Sequence, residues 1–223
     1  MAEPDPLDDS VRRADLDLWL SSRFIADEAA RADVVAIYAL SHELARVRDV
    51  AREPLIQEIR LAWWRDAVEE ITAGAGGCGH PVLEGIARAV RDRSLPKEAL
   101  DALVEAAFAR LDPNASTAPE AFDLAVMQLA GLALYPANAS CERLEAAATP
   151  TARAWSLAHA VTPAPDAVEV ALLEARPLVR ALPSAVFPAF AHVALARAYA
   201  AGRKPSELGR RLRITWGVLT GTL

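Results

Sequence analysis

Acidic side chains four residues apart are the pattern in this sequence with the clearest chemical potential. Asp66 with Glu70, and Asp101 with Glu105, have this spacing, which places both carboxylates of a pair on one helix face. Such a pair can hold a magnesium ion that bridges to a diphosphate. A basic residue lies beside each pair, so a solvated helix face explains these carboxylates better than a metal site does.

Histidine and cysteine offer less chemistry. The glycine-rich tract 73–81 lacks the Gly-Lys-Ser/Thr ending and the preceding strand of a phosphate loop, so we predict a flexible connection there. Cys78 and His80 in this tract make only two potential metal ligands. The remaining histidines have no carboxylate or nucleophile at helical spacing, which favours structural or surface roles.

Residues 33–70 combine charge with large apolar side chains. On a helical wheel one side carries four core-type positions and a cation, namely Val34, Ile37, Ser41, Leu44 and Arg48. A guanidinium beside the core needs a partner, for which Glu58, Asp66 or an anionic ligand are candidates. Trp63 and Trp64 point about 100° apart on a helix, so at least one should lie in the core.

The elements that must position these residues are helices. Alanine supplies about a fifth of the chain and apolar residues recur at spacings of three and four, which favours helices over strands. Prolines at 54, 81, 96 and 119 are typical of first helical turns. The predicted helices cover residues 10–27, 31–51, 54–73, 81–92, 96–111, 119–135, 140–161, 166–181, 184–201 and 205–220.

Length and composition indicate one all-α domain. The chain has 223 residues, of which 53% are hydrophobic, so it can bury a large core. We predict a disordered acidic tail at 1–9 and a single helical bundle at 10–223. The net charge of −6 disfavours nucleic acid as a partner.

The number of cysteines and the charged residues near both ends of the sequence indicate where in the cell the protein is located. Two cysteines suit a reducing compartment, and the acidic residues near Met1 do not resemble an export signal, so we expect a cytoplasmic protein. Residues 203–223 contain five basic residues and one acidic residue. Beside Ile214, Trp216 and Leu219 they favour either a terminal helix packed by its apolar face or peripheral contact with the inner face of an anionic membrane.

Two tracts carry a family resemblance. YALSHELARVRD at 38–49, followed by EPLIQEIRLAWWRDAVEEI at 53–71, resembles the squalene/phytoene synthase family, in particular a divergent branch similar to mitochondrial respiratory complex I assembly factor 6. LSSRF at 20–24 and RADVVAIYAL at 31–40 match the opening of that family, and FDLAVMQLAGLAL at 122–134 extends the likeness. The resemblance implies an all-α isoprenoid synthase fold with a central cavity. In active members that cavity condenses two prenyl diphosphates on two aspartate-rich, magnesium-binding helices.

The sequence departs from both aspartate-rich motifs of the family. The first motif places tyrosine, an apolar residue and arginine before an aspartate pair and a third aspartate, where this chain has Tyr38, Leu40, His42, Ala45, Arg46 and Asp49. One aspartate of three remains, and Arg46 reverses the charge at a magnesium-ligand position. The second motif should follow LAHAVT at 157–162, but the chain continues into Pro163.

Three functions follow from the resemblance and its departures. The first is a non-catalytic binding or assembly protein, with no cofactor and with a protein client such as components of respiratory complex I. The second is a magnesium-dependent prenyl transferase of the squalene/phytoene synthase type, with an ion site rebuilt from Asp49, Asp66 and Glu70. The third is a metal-free binder of an anionic isoprenoid lipid. The candidate ligand-binding residues are Tyr38, His42, Arg46, Arg48, Asp49 and Arg60, and no catalytic residue is predicted.

Overall fold

The structure of the chain is a computed structural model. The structure describes residues 6–74, 79–112, 114–135 and 141–223. Within these ranges the regular elements are all helical, which confirms the predicted all-α class. The predicted flexible connection at 73–81 lies partly outside the described residues.

Eleven α-helices and two 3₁₀ segments make up the described chain. The α-helices are α1 Pro6–Ala14, α2 Leu16–Ser22, α3 Glu28–Val50, α4 Pro54–Thr72, α5 Pro81–Arg93, α6 Lys97–Ala109, α7 Ala118–Leu134, α8 Cys141–Ala158, α9 Pro165–Arg180, α10 Ala196–Ala200 and α11 Glu207–Thr220. The 3₁₀ segments are Ser184–Ala189 and Ala191–Leu195.

Local chemistry explains where several helices begin. Prolines occupy the first turns of α4, α5 and α7, as predicted, because a first-turn residue has no intrahelical hydrogen bond to lose. Asp15 caps α2, and Asp27 caps α3 by accepting from the backbone N–H groups of Ala29 at 2.8 Å and Ala30 at 3.0 Å. The starts of α2 and α3, which lack a proline, are therefore set by aspartate caps.

Helix α3 is the centre of the bundle. Every residue from Val34 to Leu40 is buried, so all sides of this helix are covered by neighbours. Asp33 at its first turns is also buried and accepts from Arg88 and Arg93 of α5, at 2.8 Å each. Two charge-assisted hydrogen bonds compensate the carboxylate for its loss of water.

The remaining helices pack around α3 as one unit. Helices α6 to α9 pack in chain order, each against the next, while α1, α5 and α7 contact α3. A single hydrophobic core draws side chains from every element between Leu7 and Leu223. The described residues therefore form one helical domain. Within them, no helix combines the length and hydropathy needed to cross a membrane.

The structure corrects the acidic tail. Residues 6–9, predicted to be disordered, lie in α1, while residues 1–5 lie outside the described ranges. The helix forms because Leu7 and Val11 are buried on one side of it. Asp8 also accepts from the indole nitrogen of Trp19 at 2.9 Å and pairs with Arg23.

Two predicted helices were too long. The helix predicted at 10–27 is broken at Asp15, whose extended backbone and capping side chain start a new helix. The helix predicted at 184–201 is instead two 3₁₀ segments followed by the short α10. Pro188 lies inside this stretch and has no N–H to donate to an α-helical hydrogen bond.

Candidate functional site

A cavity of about 210 Å³, here called the central cavity, lies beside α3, the central helix of the bundle. Its walls come from α1, α2, α3, α7 and α8, from Arg110 just after α6, and from the 3₁₀ segment Ala191–Leu195. The polar residues that line it are Asp15, Tyr38, Ser41, His42, Arg110, Asp123 and His192. Apolar walls are supplied by residues such as Leu18, Phe122, Met127 and Trp155.

Two buried polar side chains in this cavity have no hydrogen-bond partner. Tyr38 and His192 are almost completely buried, and the Tyr38 hydroxyl and the His192 Nδ1 are unpaired among the described protein atoms. Burial lowers the pKa of His192 to about 3, with a smaller contribution from His159. Burial likewise raises the pKa of Tyr38 above its usual range. Both groups are therefore neutral at physiological pH and offer hydrogen bonds rather than charge.

The carboxyl groups of the cavity have raised pKa values. Burial raises the pKa of Asp123 to about 7, although the Arg110 cation opposes this shift. The pKa of Asp15 is also raised by burial, while its side chain accepts from the backbone N–H groups of Asp17 and Leu18 at 3.0 Å each. These environments favour protonated carboxyl groups, unlike those of metal-binding carboxylates.

Arg110 is the cation of the cavity. Its guanidinium lies 4.5 Å from the centre of the Phe122 ring. Burial lowers the pKa of Arg110, and the nearby Arg48 lowers it further, whereas Asp123 and Asp49 raise it. Arg110 therefore faces an aromatic ring and a carboxyl group that is only partly ionised near neutral pH.

The residues present do not fit a magnesium site. Asp49, Asp66 and Glu70, which formed the predicted ion site, are exposed on α3 and α4 and do not line the cavity. Across the described parts of the chain, no three His, Cys, Asp or Glu side chains are grouped so as to hold a metal ion. Mg²⁺ needs several oxygen ligands in near-octahedral geometry, and among the described residues that line the cavity only Asp15 and Asp123 carry carboxyl groups.

The structure divides the predicted ligand-binding residues into three groups. Tyr38 and His42 line the central cavity. Arg46 and Arg60 line a second cleft, of about 220 Å³, between α3 and α4. Arg48 and Asp49 lie exposed near the end of α3 and line neither site, although both influence Arg110 electrostatically.

The predicted position of Arg48 beside the core is wrong. The buried stripe of α3 continues from Leu44 to Val47 and Ala51 rather than to Arg48. The next buried residue after Leu44 is three positions on, at Val47, rather than four positions on, at Arg48. This spacing turns the buried side of α3 away from Arg48. The guanidinium is therefore solvated and needs no buried partner.

The cleft between α3 and α4 is basic and aromatic. Arg46 pairs with Glu43 of its own helix at 3.2 Å, whereas Arg60 forms no ion pair with any described residue. Trp63 is 51% exposed in the cleft and Trp64 is 6% exposed, so one of the two tryptophans is in the core, as predicted. His80 fills the space beside them, with its ring centre 5.3 Å from that of Trp64.

Several cavity residues were not found from the sequence. Arg110, Asp123, Trp155 and His192 come from separate segments that only the fold brings together. Asp123 did carry a signal, because it is the one charged residue between 121 and 141. A lone ionisable residue in an apolar helix indicates a specific environment.

The fold is all-α with a polar cavity beside α3, and the match to a family model assigns it to the isoprenoid synthase-like class. The family model for squalene/phytoene synthase matches residues 11–138. This match covers more than half of the chain, so the protein belongs to the squalene/phytoene synthase family. No curated protein matches the chain. The matched segment includes Asp15, Tyr38, His42, Arg110 and Asp123 of the cavity.

Proposed function

We propose that this protein is a non-catalytic member of the squalene/phytoene synthase family that acts as a binding or assembly factor. The observation that carries the proposal is the position of Asp49. It is the one aspartate left of the first family motif, and it is exposed outside the central cavity. Ala45 and Arg46 occupy the other two motif positions. Respiratory complex I components are the client that the resemblance to the assembly-factor branch suggests.

The size and charge of the cavity support the same proposal. A volume of about 210 Å³ is below the roughly 300–1,000 Å³ of sites for drug-sized ligands, and two prenyl chains need more room still. The cavity also contains the cation Arg110, and the two carboxyl groups that line it, Asp15 and Asp123, have raised pKa values. Binding and condensation of two prenyl diphosphates in this cavity therefore have little physical support.

The outer face of α4 supplies a surface for a protein client. Leu55, Ile59 and Trp63 are exposed at spacings of four residues and form one strip along this helix. Exposed apolar strips of this kind are typical of protein interaction sites. A client that covers the strip would remove three large side chains from water.

The first experiment tests turnover. Purified protein is incubated with farnesyl or geranylgeranyl diphosphate in magnesium or in EDTA, and products are extracted. We expect no longer hydrocarbon in either buffer. A magnesium-dependent hydrocarbon product would contradict the proposal and would establish the prenyl transferase alternative.

A second experiment tests the assembly role in the host. We expect loss of the gene to lower NADH dehydrogenase activity of the membranes, and the parent gene to restore it. Asp49→Asn should restore activity equally well, whereas Ile59→Ser combined with Trp63→Ser should not. Unchanged NADH dehydrogenase activity in the deletion strain would reject respiratory complex I as the client.

The cleft between α3 and α4 favours a second function, metal-free binding of an anionic isoprenoid lipid. Arg46 and Arg60 line the cleft together with two tryptophans, which suits a phosphate group attached to an apolar chain. Farnesyl diphosphate in EDTA should then raise the melting temperature. Arg46→Ala and Arg60→Ala should each abolish that shift, and Arg52→Ala, an exposed arginine outside the cleft, should retain it. An undiminished shift in Arg46→Ala would mean that the lipid binds elsewhere.

A further inference from the structure

Helix α11 exposes an apolar stripe along its outer side. Leu208, Leu212, Trp216 and Leu219 are 66%, 62%, 68% and 76% exposed. Their spacings of four, four and three residues place all four within an arc of about 80° on the helix. One side of α11 therefore presents three leucines and a tryptophan to the solvent.

The opposite side of α11 fixes the direction in which this stripe points. Ile214 is fully buried there, and a Cβ at Gly217 would lie 2.9 Å from the Thr222 carbonyl oxygen and 3.2 Å from the Ala194 Cβ. Arg210 donates to the buried Asp17 of α2 at 3.0 Å. Close packing and one ion pair thus hold the helix against the bundle, so the stripe is a fixed feature of the surface.

Basic side chains flank the stripe on both sides. On the helical wheel Arg211 lies about 60° beyond one edge and Arg213 about 60° beyond the other. Arg203 and Lys204 are exposed just before the helix. Residues 203–223 hold five basic residues and one acidic residue, a net +4 in a protein whose total net charge is −6. This segment is therefore positive within an acidic protein, with Arg210 paired to Asp17 and Arg211 paired to Glu207.

We propose that α11 docks the protein on the surface of an anionic lipid membrane. A helix lying in the membrane interface needs an apolar side that enters the acyl boundary and cations at its edges that reach lipid phosphates. Trp216 lies within the apolar stripe, and tryptophan is enriched at the interface between acyl chains and headgroups. The acidic remainder of the protein is repelled by the same lipids, so only this side faces the membrane.

Electrostatic repulsion disfavours a second copy of the chain as the partner that covers the stripe. Two copies packed stripe to stripe would bring the flanking arginines of both helices close together. Like charges at such a contact oppose association. An anionic lipid surface instead provides counter-charges along both edges of the stripe.

Vesicle sedimentation tests the proposal with the full chain. We expect binding to vesicles of equal parts phosphatidylcholine and phosphatidylglycerol, and at least about tenfold weaker binding to phosphatidylcholine alone, since each arginine contributes about fivefold. Raising the salt concentration should weaken binding. Blue-shifted Trp216 fluorescence on binding, absent from Trp216→Phe, would locate the contact.

Matched variants separate this stripe from other apolar surface. Leu212→Ser with Trp216→Ser should abolish vesicle binding, whereas Leu55→Ser with Ile59→Ser on α4 should leave it unchanged. Arg211→Gln with Arg213→Gln should weaken binding at least about tenfold, and Arg91→Gln on α5 should not. All of these positions are exposed, so circular dichroism should show the parent fold in every variant.

Any one of four outcomes would overturn the proposal. The first is no sedimentation with anionic vesicles. The second is equal binding to both vesicle types. The third is an equal loss of binding in the α4 control variant. The fourth is a dimer in light scattering that Leu212→Ser with Trp216→Ser dissociates, which would assign the stripe to a second copy.

Discussion

Asp123 lines the central cavity and carries a carboxyl group whose pKa is strongly raised. Its pKa rises from an ordinary value of 3.8 to about 7, mainly because burial removes water from the carboxylate. The folded protein therefore retains the Asp123 proton at pH values where the unfolded chain has already lost it. This difference makes the contribution of Asp123 to stability depend on pH.

Asp123→Asn should change the pH dependence of unfolding. In the parent, protonated Asp123 stabilises the folded state fully below about pH 4. This stabilisation is lost as the pH rises towards 7 and stays low above pH 7. Asparagine does not titrate, so at pH 8 the free energy of unfolding of the variant should exceed that of the parent by about 4 kcal/mol, and this difference should disappear near pH 4. Urea unfolding at several pH values measures this. The exposed Asp66→Asn is the control, and an Asp123→Asn profile parallel to the parent would contradict the assignment.

The adjacent tryptophans should differ sharply in their contributions to stability. Trp64 is buried and Trp63 is half exposed. Trp64→Ala should lower the free energy of unfolding by about 3 kcal/mol or more, because it leaves a cavity. Trp63→Ala should cost much less. Thermal or urea unfolding compares the two, and similar losses in both variants would contradict the burial seen here.

At the scale of elements, a glycine allows α3 and α5 to approach each other closely. A Cβ on Gly85 would lie 2.7 Å from the Ala36 Cβ and 3.2 Å from the Leu7 Cδ1. The Ala36 Cβ is attached directly to the backbone, so it cannot move unless the helices separate. Asp33, with Arg88 and Arg93, ties the same two helices together at one end.

Gly85→Ala should destabilise the protein even though alanine favours helices. We expect a loss of about 1–3 kcal/mol, as for overpacking of a well-packed core. Gly209→Ala is the matched control, since a Cβ there meets nothing closer than 3.4 Å. It should be neutral or stabilising by up to about 1 kcal/mol. Melting temperatures that change in the same direction in both variants would argue against the close approach of α3 and α5.

At the scale of the whole molecule, one core connects the two ends of the described chain. Leu7 of α1 packs near Gly85 of α5, and the carbonyl oxygen of Leu223 accepts from Arg197 at 2.8 Å. Tyr199 and Arg210 both donate to Asp17, which links α2 to the C-terminal part of the bundle. No described segment is packed separately from the rest.

Unfolding should therefore occur in one cooperative transition. Tryptophans lie in distant elements, including Trp19, Trp64, Trp155 and Trp216, so their fluorescence reports on the whole bundle. The urea midpoints from tryptophan fluorescence and far-ultraviolet circular dichroism should coincide. Two separate midpoints would show that part of the bundle unfolds independently.

The sequence predicted the features that depend on local chemistry. Alanine content and apolar spacing predicted an all-α protein, and prolines predicted the starts of α4, α5 and α7. Helical periodicity also predicted that at least one of the two tryptophans is buried. These features depend on residues within one or two turns of each other, so a linear pattern contains them.

Only the tertiary structure decided which side chains meet. The central cavity joins Asp15, Tyr38, Arg110, Asp123 and His192, which are far apart in the chain. The buried stripe of α3 rotates away from Arg48, and the predicted helix at 184–201 becomes two 3₁₀ segments and a short helix. In each case packing against distant elements outweighs a local preference of a few tenths of a kcal/mol per residue. The pKa of Asp123 and the outward direction of the α11 stripe have the same origin, because burial is a property of the assembled bundle and not of any single helix.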